Sequence, residues 1–194
     1  MKEHNQSNSI SRRTFAGMLT GAGALTTLQA RESKEPKPTF DRKIKIGIVG
    51  LGHRGNLVGD FCQKHGGFVV SAVADYFEET AKKHGQRFGV PEDKVFSGLS
   101  GYKRILDSGV DALLILDVPY FYPEQATAAV EAGCHVYLAK PVAVDIPGVL
   151  AIEAAAAKAS ANKGCFMVDY QMPLDKANRE VAKRIHDGNL GRMA

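Results

Sequence analysis

Residues 43–55, Lys-Ile-Lys-Ile-Gly-Ile-Val-Gly-Leu-Gly-His-Arg-Gly, constrain the fold more than any other stretch. The apolar run Ile44–Val49 leads into Gly50, Gly52 and Gly55, the spacing G-x-G-x-x-G, and Asp75 closes the next apolar run twenty residues beyond Gly55. A strand, a glycine turn, a helix and an acid-tipped second strand are together what a dinucleotide needs. Gly50 permits the tight turn, Gly52 lets a pyrophosphate approach bare backbone, and Gly55 lets the helix lie close on the sheet. The free N–H groups and positive dipole end of that helix then face the phosphates. The competing interpretation is a structural turn in an empty α/β sheet.

Downstream, short apolar runs alternate with segments of helical period. Strands are expected at Ile44–Val49, Phe68–Ala74, Asp93–Phe96, Asp111–Asp117, His135–Leu138 and Cys165–Tyr170. Helices are expected at 53–65, 78–88, 102–107, 123–131, 146–161 (capped by Asp145) and 173–186. Continuously apolar strands joined by crossover helices predict an α/β fold, a doubly wound parallel sheet. In the strand order 3-2-1-4-5-6, ligands sit where the winding reverses, over the carboxyl ends of strands one and four. Gly50–Gly55, Asp75, Asp117–Tyr122, Ala139–Pro141 and Tyr170–Gln171 then share one rim.

The amino terminus has a different character. Ser11-Arg12-Arg13-Thr14-Phe15 precedes a weakly apolar stretch over 16–30, too short for a bilayer, which needs about 20 apolar residues. Paired arginines before such a segment read as a twin-arginine export signal, with the export machinery as partner and a periplasmic or membrane-tethered destination. The alternative is a basic tail carrying Arg-Arg by chance. Residues 31–42, charged and containing Pro36 and Pro38, read as a linker, and 43–194 as an NAD(P)-binding domain. The net charge of +4 falls to +2 without residues 1–30, which hold Lys2, Arg12, Arg13 and Glu3. No basic stripe remains, so nucleic acid is not an expected partner. Cys62, Cys134 and Cys165 show no C-x-x-C pairing; they read as small buried apolar residues rather than a disulfide or a metal site.

Individual residues can carry chemistry. Asp75 can accept hydrogen bonds from adenosine ribose hydroxyls and repels a 2′-phosphate, favouring NAD over NADP; it can equally cap the helix beginning near Glu78. Arg54 can touch a pyrophosphate or only solvent, and His53 can be a solvated loop residue. Lys140, at the carboxyl end of an inner strand, can polarise a substrate hydroxyl and hold a developing alkoxide beside the nicotinamide. Taken alone, Lys140-Pro141 can also be a solvated loop cation.

Gly50-Leu51-Gly52-His53-Arg54-Gly55, Asp75, Asp117-Val118-Pro119, Ala132 through Lys140-Pro141 and Tyr170-Gln171 follow one another at intervals that resemble the nucleotide-binding half of the Gfo/Idh/MocA family (glucose–fructose oxidoreductase, inositol dehydrogenase). The resemblance spans about 43–192 and implies a Rossmann fold and hydride transfer between NAD(P) and a sugar or polyol. It implies that Gly50–Gly55, Asp75, Val118, Pro119, Lys140, Pro141 and Tyr170 bind cofactor, with Lys140 also serving the substrate. Three departures stand out. Ala139 replaces the glutamate of the family's Glu-Lys-Pro, and Pro123 stands where a histidine is frequent. The family's second α/β domain, which supplies a histidine base, has no counterpart before Ala194; His4, His53, His65, His84, His135 and His186 do not match that base. The resemblance therefore implies a carboxyl-terminally truncated chain that binds NAD weakly, turns over little, and exposes a surface for homo-oligomers formed through the second domain. Two alternatives stay open: an NAD-dependent glycosidase of the same superfamily, and a non-catalytic nucleotide-binding domain.

Overall fold

Parallel strands need long crossovers, and the helical segments between the apolar runs supply them. The computed structural model describes residues 40–189 and 191; the expected export signal lies outside them. Six strands, β1 (Ile44–Val49), β2 (Phe68–Asp75), β3 (Val95–Ser97), β4 (Ala112–Ile115), β5 (His135–Ala139) and β6 (Phe166–Asp169), form one sheet in the order 3-2-1-4-5-6. Every neighbouring pair is parallel. The helices are α1 (His53–His65), α2 (Glu78–Phe88), α3 (Gly101–Asp107), α4 (Tyr122–Glu131), α5 (Ile146–Ala161), α6 (Gln171–Leu174) and α7 (Lys176–His186).

The central strands are covered on both faces. Ile46 and Ile48 of β1 and Leu113 and Ile115 of β4 are essentially inaccessible. Each such side chain contributes about 1.5–3 kcal/mol by leaving water. Local chemistry sets the helix ends. Gly89 closes α2 in the left-handed conformation, and Asp145 begins α5 by accepting from the Gly148 N–H at 2.7 Å. Phe40 stacks 5.2 Å from His65 and Arg42 pairs with Asp111 at 2.9 Å, so the expected linker already touches the domain at its end.

Several expectations are corrected. β3 begins at Val95, because Glu92–Lys94 form a turn of 3-10 helix. β4 is shorter than expected, Ala112–Ile115; the Asp111 backbone still bonds to Lys45 and His135 on either side while its carboxylate accepts from Arg42 and the Lys45 N–H, and Asp117 has left the ladder. The helix expected at 173–186 is two helices. Asp175 takes an extended backbone and caps α7 by accepting from the Asn178 N–H at 2.9 Å. Of the cysteines, only Cys134 is buried; Cys62 is half-buried, and Cys165 is exposed where the chain enters the edge strand β6.

Candidate dinucleotide site

The glycine turn is dictated by close contacts. Gly50 has φ +85°, and a Cβ there would run into the backbone of Leu116 and Asp117. A Cβ on Gly55 would overlap the Gly50 carbonyl oxygen. Gly52 differs: nothing lies within 4 Å of its missing Cβ, so this part of the turn faces open space. Gly52 is the N-cap of α1, with no side-chain cap and no acid in the first helical turn. The unsatisfied N–H groups of that end and its partial positive charge are free to meet an anion.

The turn is clamped from two sides. The Leu51 N–H donates to Asp75 Oδ2 at 2.8 Å, and the Phe77 N–H donates to Asp75 Oδ1 at 3.0 Å. Asn56 Nδ2 donates to the carbonyls of Leu51 (2.5 Å) and Gly52 (2.9 Å), while its Oδ1 accepts from Arg87 at 2.8 Å. Asp75 thus holds the turn and also faces the rim. Its bond to the Phe77 N–H makes a local turn before α2, in place of a cap inside the helix.

Two clefts open along the carboxyl rim. The first, about 410 Å³, is walled by Gly50, Gly52, Asp75, Tyr76, Phe77 and Val118, among others. The second, about 370 Å³, is lined by Arg54, Pro119, Tyr122, Ala139, Lys140, Asp169 and Gln171. Leu116 and Asp117 form a wall common to both. Leu51 is fully buried, and His53 is exposed as the first residue of α1. Lys140 makes no hydrogen bond or ion pair among the described residues; it precedes Pro141 through a cis peptide, and Pro141 is exposed outside the second cleft. Tyr170 is also exposed and lines neither cleft; the neighbouring Gln171 takes that place.

Arg54 has partners within the protein. Its guanidinium crosses the rim to the Asp169 carboxylate at the end of β6, and the Gln171 amide oxygen joins the pair. Asp169 is buried and registers beside Ala139 of β5. Burial, aided by the Asp169 charge, pushes the nearby Tyr137 phenol up to about 12. At the common wall, Gln125 Nε2 donates to Asp117 Oδ2 at 2.7 Å, and the Tyr122 hydroxyl donates to the Asp117 carbonyl at 3.0 Å. Burial pushes the Asp117 carboxyl up to about 6, with the Asp75 charge adding to the effect.

Asp169, Gln125 and Asn56 were not singled out from the sequence, and Asp117 was placed on the rim without a role for its side chain. For Asp117 the available signal was an acid ending an inner apolar strand, a place where a solvated carboxylate is not expected. The partners of Asp169 and Gln125 lie on separate elements, whereas Asn56 bonds back to Leu51 and Gly52 within its own turn as well as to Arg87.

The profile of the Gfo/Idh/MocA oxidoreductase family, described by its NAD-binding Rossmann fold, matches residues 44–170. An inositol 2-dehydrogenase of Klebsiella pneumoniae (strain 342) is 30% identical over 149 residues, which cover 76% of this chain and 43% of that protein. A myo-inositol 2-dehydrogenase of Thermotoga maritima is 21% identical over 149 residues, 77% of this chain and 42% of that protein. The chain therefore spans less than half the length of these relatives. Scyllo-inositol dehydrogenase from Lactobacillus casei, solved with NAD(H) and scyllo-inositol, superposes with a TM-score of 0.64 at 24% identity, covering 77% of this chain and 43% of that one. The WlbA dehydrogenase from Bordetella pertussis, solved with NADH and UDP-GlcNAcA, gives 0.65 at 24% identity, covering 78% and 45%. At these identities the solved structures attest the fold alone.

Proposed function

This chain belongs to the Gfo/Idh/MocA oxidoreductase family with an NAD-binding Rossmann fold, and from that premise we propose that it is the cofactor-binding half of an NAD-dependent dehydrogenase. Its substrate is a secondary alcohol of a sugar or polyol, the class named by its inositol dehydrogenase relatives. The observation that carries this reading is the open face at Gly52 above an uncapped helix end, with the Asp75 carboxylate at the next strand tip. Those residues fit a dinucleotide. The α1 N–H groups and the Gly50–Gly52 backbone would hold the pyrophosphate, Asp75 the adenosine ribose, and Tyr76, Phe77 and Val118 the apolar wall of the first cleft.

When bound, the nicotinamide supplies hydride acceptance or donation. This chain's part in the chemistry is local. Lys140 lies in the second cleft and forms no ion pair among the described residues, so its ammonium can donate to a substrate hydroxyl and hold the negative charge that grows on that oxygen. The Arg54–Asp169 pair ties the end of β6 to α1, fixing the far wall of the same cleft. Export through the Arg12-Arg13 segment belongs to the same proposal; its test is whether replacing both arginines by lysine traps the protein in the cytoplasm.

Calorimetric titration of the full chain with NAD, NADP and AMP tests the cofactor assignment. NAD and AMP should bind, and NADP more weakly than NAD because Asp75 repels the 2′-phosphate. Absence of binding by both NAD and AMP would sink the reading. NADH formation dependent on an added polyol reports the reaction itself.

A further inference from the structure

Two buried acceptors at the common wall have no partner. Asp117 Oδ1 and Gln125 Oε1 are both enclosed by protein and unbonded, although the two side chains touch through Gln125 Nε2 and Asp117 Oδ2 at 2.7 Å. An ionised carboxylate offers only acceptors, and the Gln125 amide spends one donor on Oδ2, so the second oxygen of each group is left buried without a donor among the described residues. Leaving such groups unpaired is costly. One proton placed on Asp117 removes both defects, because a carboxylic acid donates through one oxygen while accepting at the other.

We propose that Asp117 is a positioning residue that titrates between two forms, the neutral one with its Oδ1–H donating to Gln125 Oε1 in a cyclic acid–amide pair, and that this neutral form is the one that favours entry of the dinucleotide's pyrophosphate. The inference rests on the dinucleotide reading above. Its second support is location: the Asp117 backbone lies so close under Gly50 that a Cβ there would strike it, and Asp117 walls both clefts. A charge at that point would stand beneath the path between the adenosine and nicotinamide halves. The groups facing it are Asp75 on β2, Tyr102 on α3, Tyr122 and Gln125 on α4, Arg54 on α1, Lys140 after β5 and Asp169 on β6. Arg54 is already engaged by Asp169, and Asp75 opposes ionisation of Asp117.

The test uses the full chain and two measurements. Infrared difference spectroscopy across pH 5–8 should show a protonated-carboxyl band that vanishes in Asp117→Asn and is lost from the wild type as pH rises through about 6. NAD affinity of the wild type should fall roughly tenfold between pH 5 and pH 8, the order expected for one added charge at this range. In Asp117→Asn, whose amide keeps the cyclic pairing, affinity should be flat with pH. His53→Gln should retain the wild-type slope, which separates Asp117 from the imidazole at the turn. A carboxylate band throughout, or an Asp117→Asn slope equal to that of the wild type, overturns the proposal. Failure of NAD to bind at any pH would defeat the dinucleotide reading instead, and the infrared band still decides the acid–amide pair.

Discussion

Asp75→Asn changes one atom and removes one charge, and its consequences can be worked from two hydrogen bonds. Both carboxylate oxygens accept from backbone N–H groups, Leu51 at 2.8 Å and Phe77 at 3.0 Å. An asparagine has one acceptor oxygen, so it satisfies one of these donors and turns its own NH₂ toward the other. A hydrogen bond to a charged group contributes about 1.5–3 kcal/mol; because Asp75 is half-exposed, a loss of ~2 kcal/mol is expected. For a domain of this size that lowers Tm by roughly 4–8 °C. The same substitution removes the repulsion against a 2′-phosphate. The preference for NAD over NADP should therefore fall roughly tenfold, the equivalent of ~1.4 kcal/mol. Thermal denaturation followed by titration with each dinucleotide reads both effects. An unchanged Tm together with an unchanged NAD/NADP ratio would refute the argument that one carboxylate both clamps the turn and reads the ribose.

The glycines separate a structural turn from a binding one. Gly52→Ala should keep wild-type Tm, since nothing surrounds its missing Cβ, yet lose NAD affinity; Gly55→Ala should cost about 1–3 kcal/mol because its Cβ meets the Gly50 carbonyl. Arg54→Met strands the buried Asp169 carboxylate and should cost about 2–4 kcal/mol by denaturant unfolding, somewhat below a fully buried pair because Arg54 retains 29% exposure. The pH dependence of stability has a definite sign at Asp117. Its folded-state pKa, about 6, lies above the ordinary carboxyl value, so the folded chain holds a proton there that the unfolded chain releases. That contribution is complete below about pH 4 and disappears as pH rises to about 6. Relative to Asp117→Asn, the wild type should lose ~2–3 kcal/mol over this interval and nothing more above it. A constant difference between the two proteins from pH 4 to pH 8 would contradict the assignment.

Much of the architecture was legible because it is written in local periods. Runs such as Ile44–Val49 and Ala112–Ile115, short and bounded by turn residues, read as buried strands, and crossovers of helical length between them favour parallel pairing. The turn at Gly50–Gly55 was legible for a related reason: its requirements are backbone requirements, fixed by residues a few positions apart. One misjudged boundary comes from competition by a side chain for a backbone group. Asp175 caps a new helix and so splits the last helical segment.

What the sequence alone determined, then, is the parallel sheet and the glycine turn with an acid at the tip of the next strand. The tertiary structure decided which side chains meet on the rim. Arg54 and Asp169 are 115 residues apart, and Gln125 reaches Asp117 only because α4 folds back over β4. No periodicity encodes such pairings, since each depends on strand register and on how low-dielectric packing penalises a polar atom left alone.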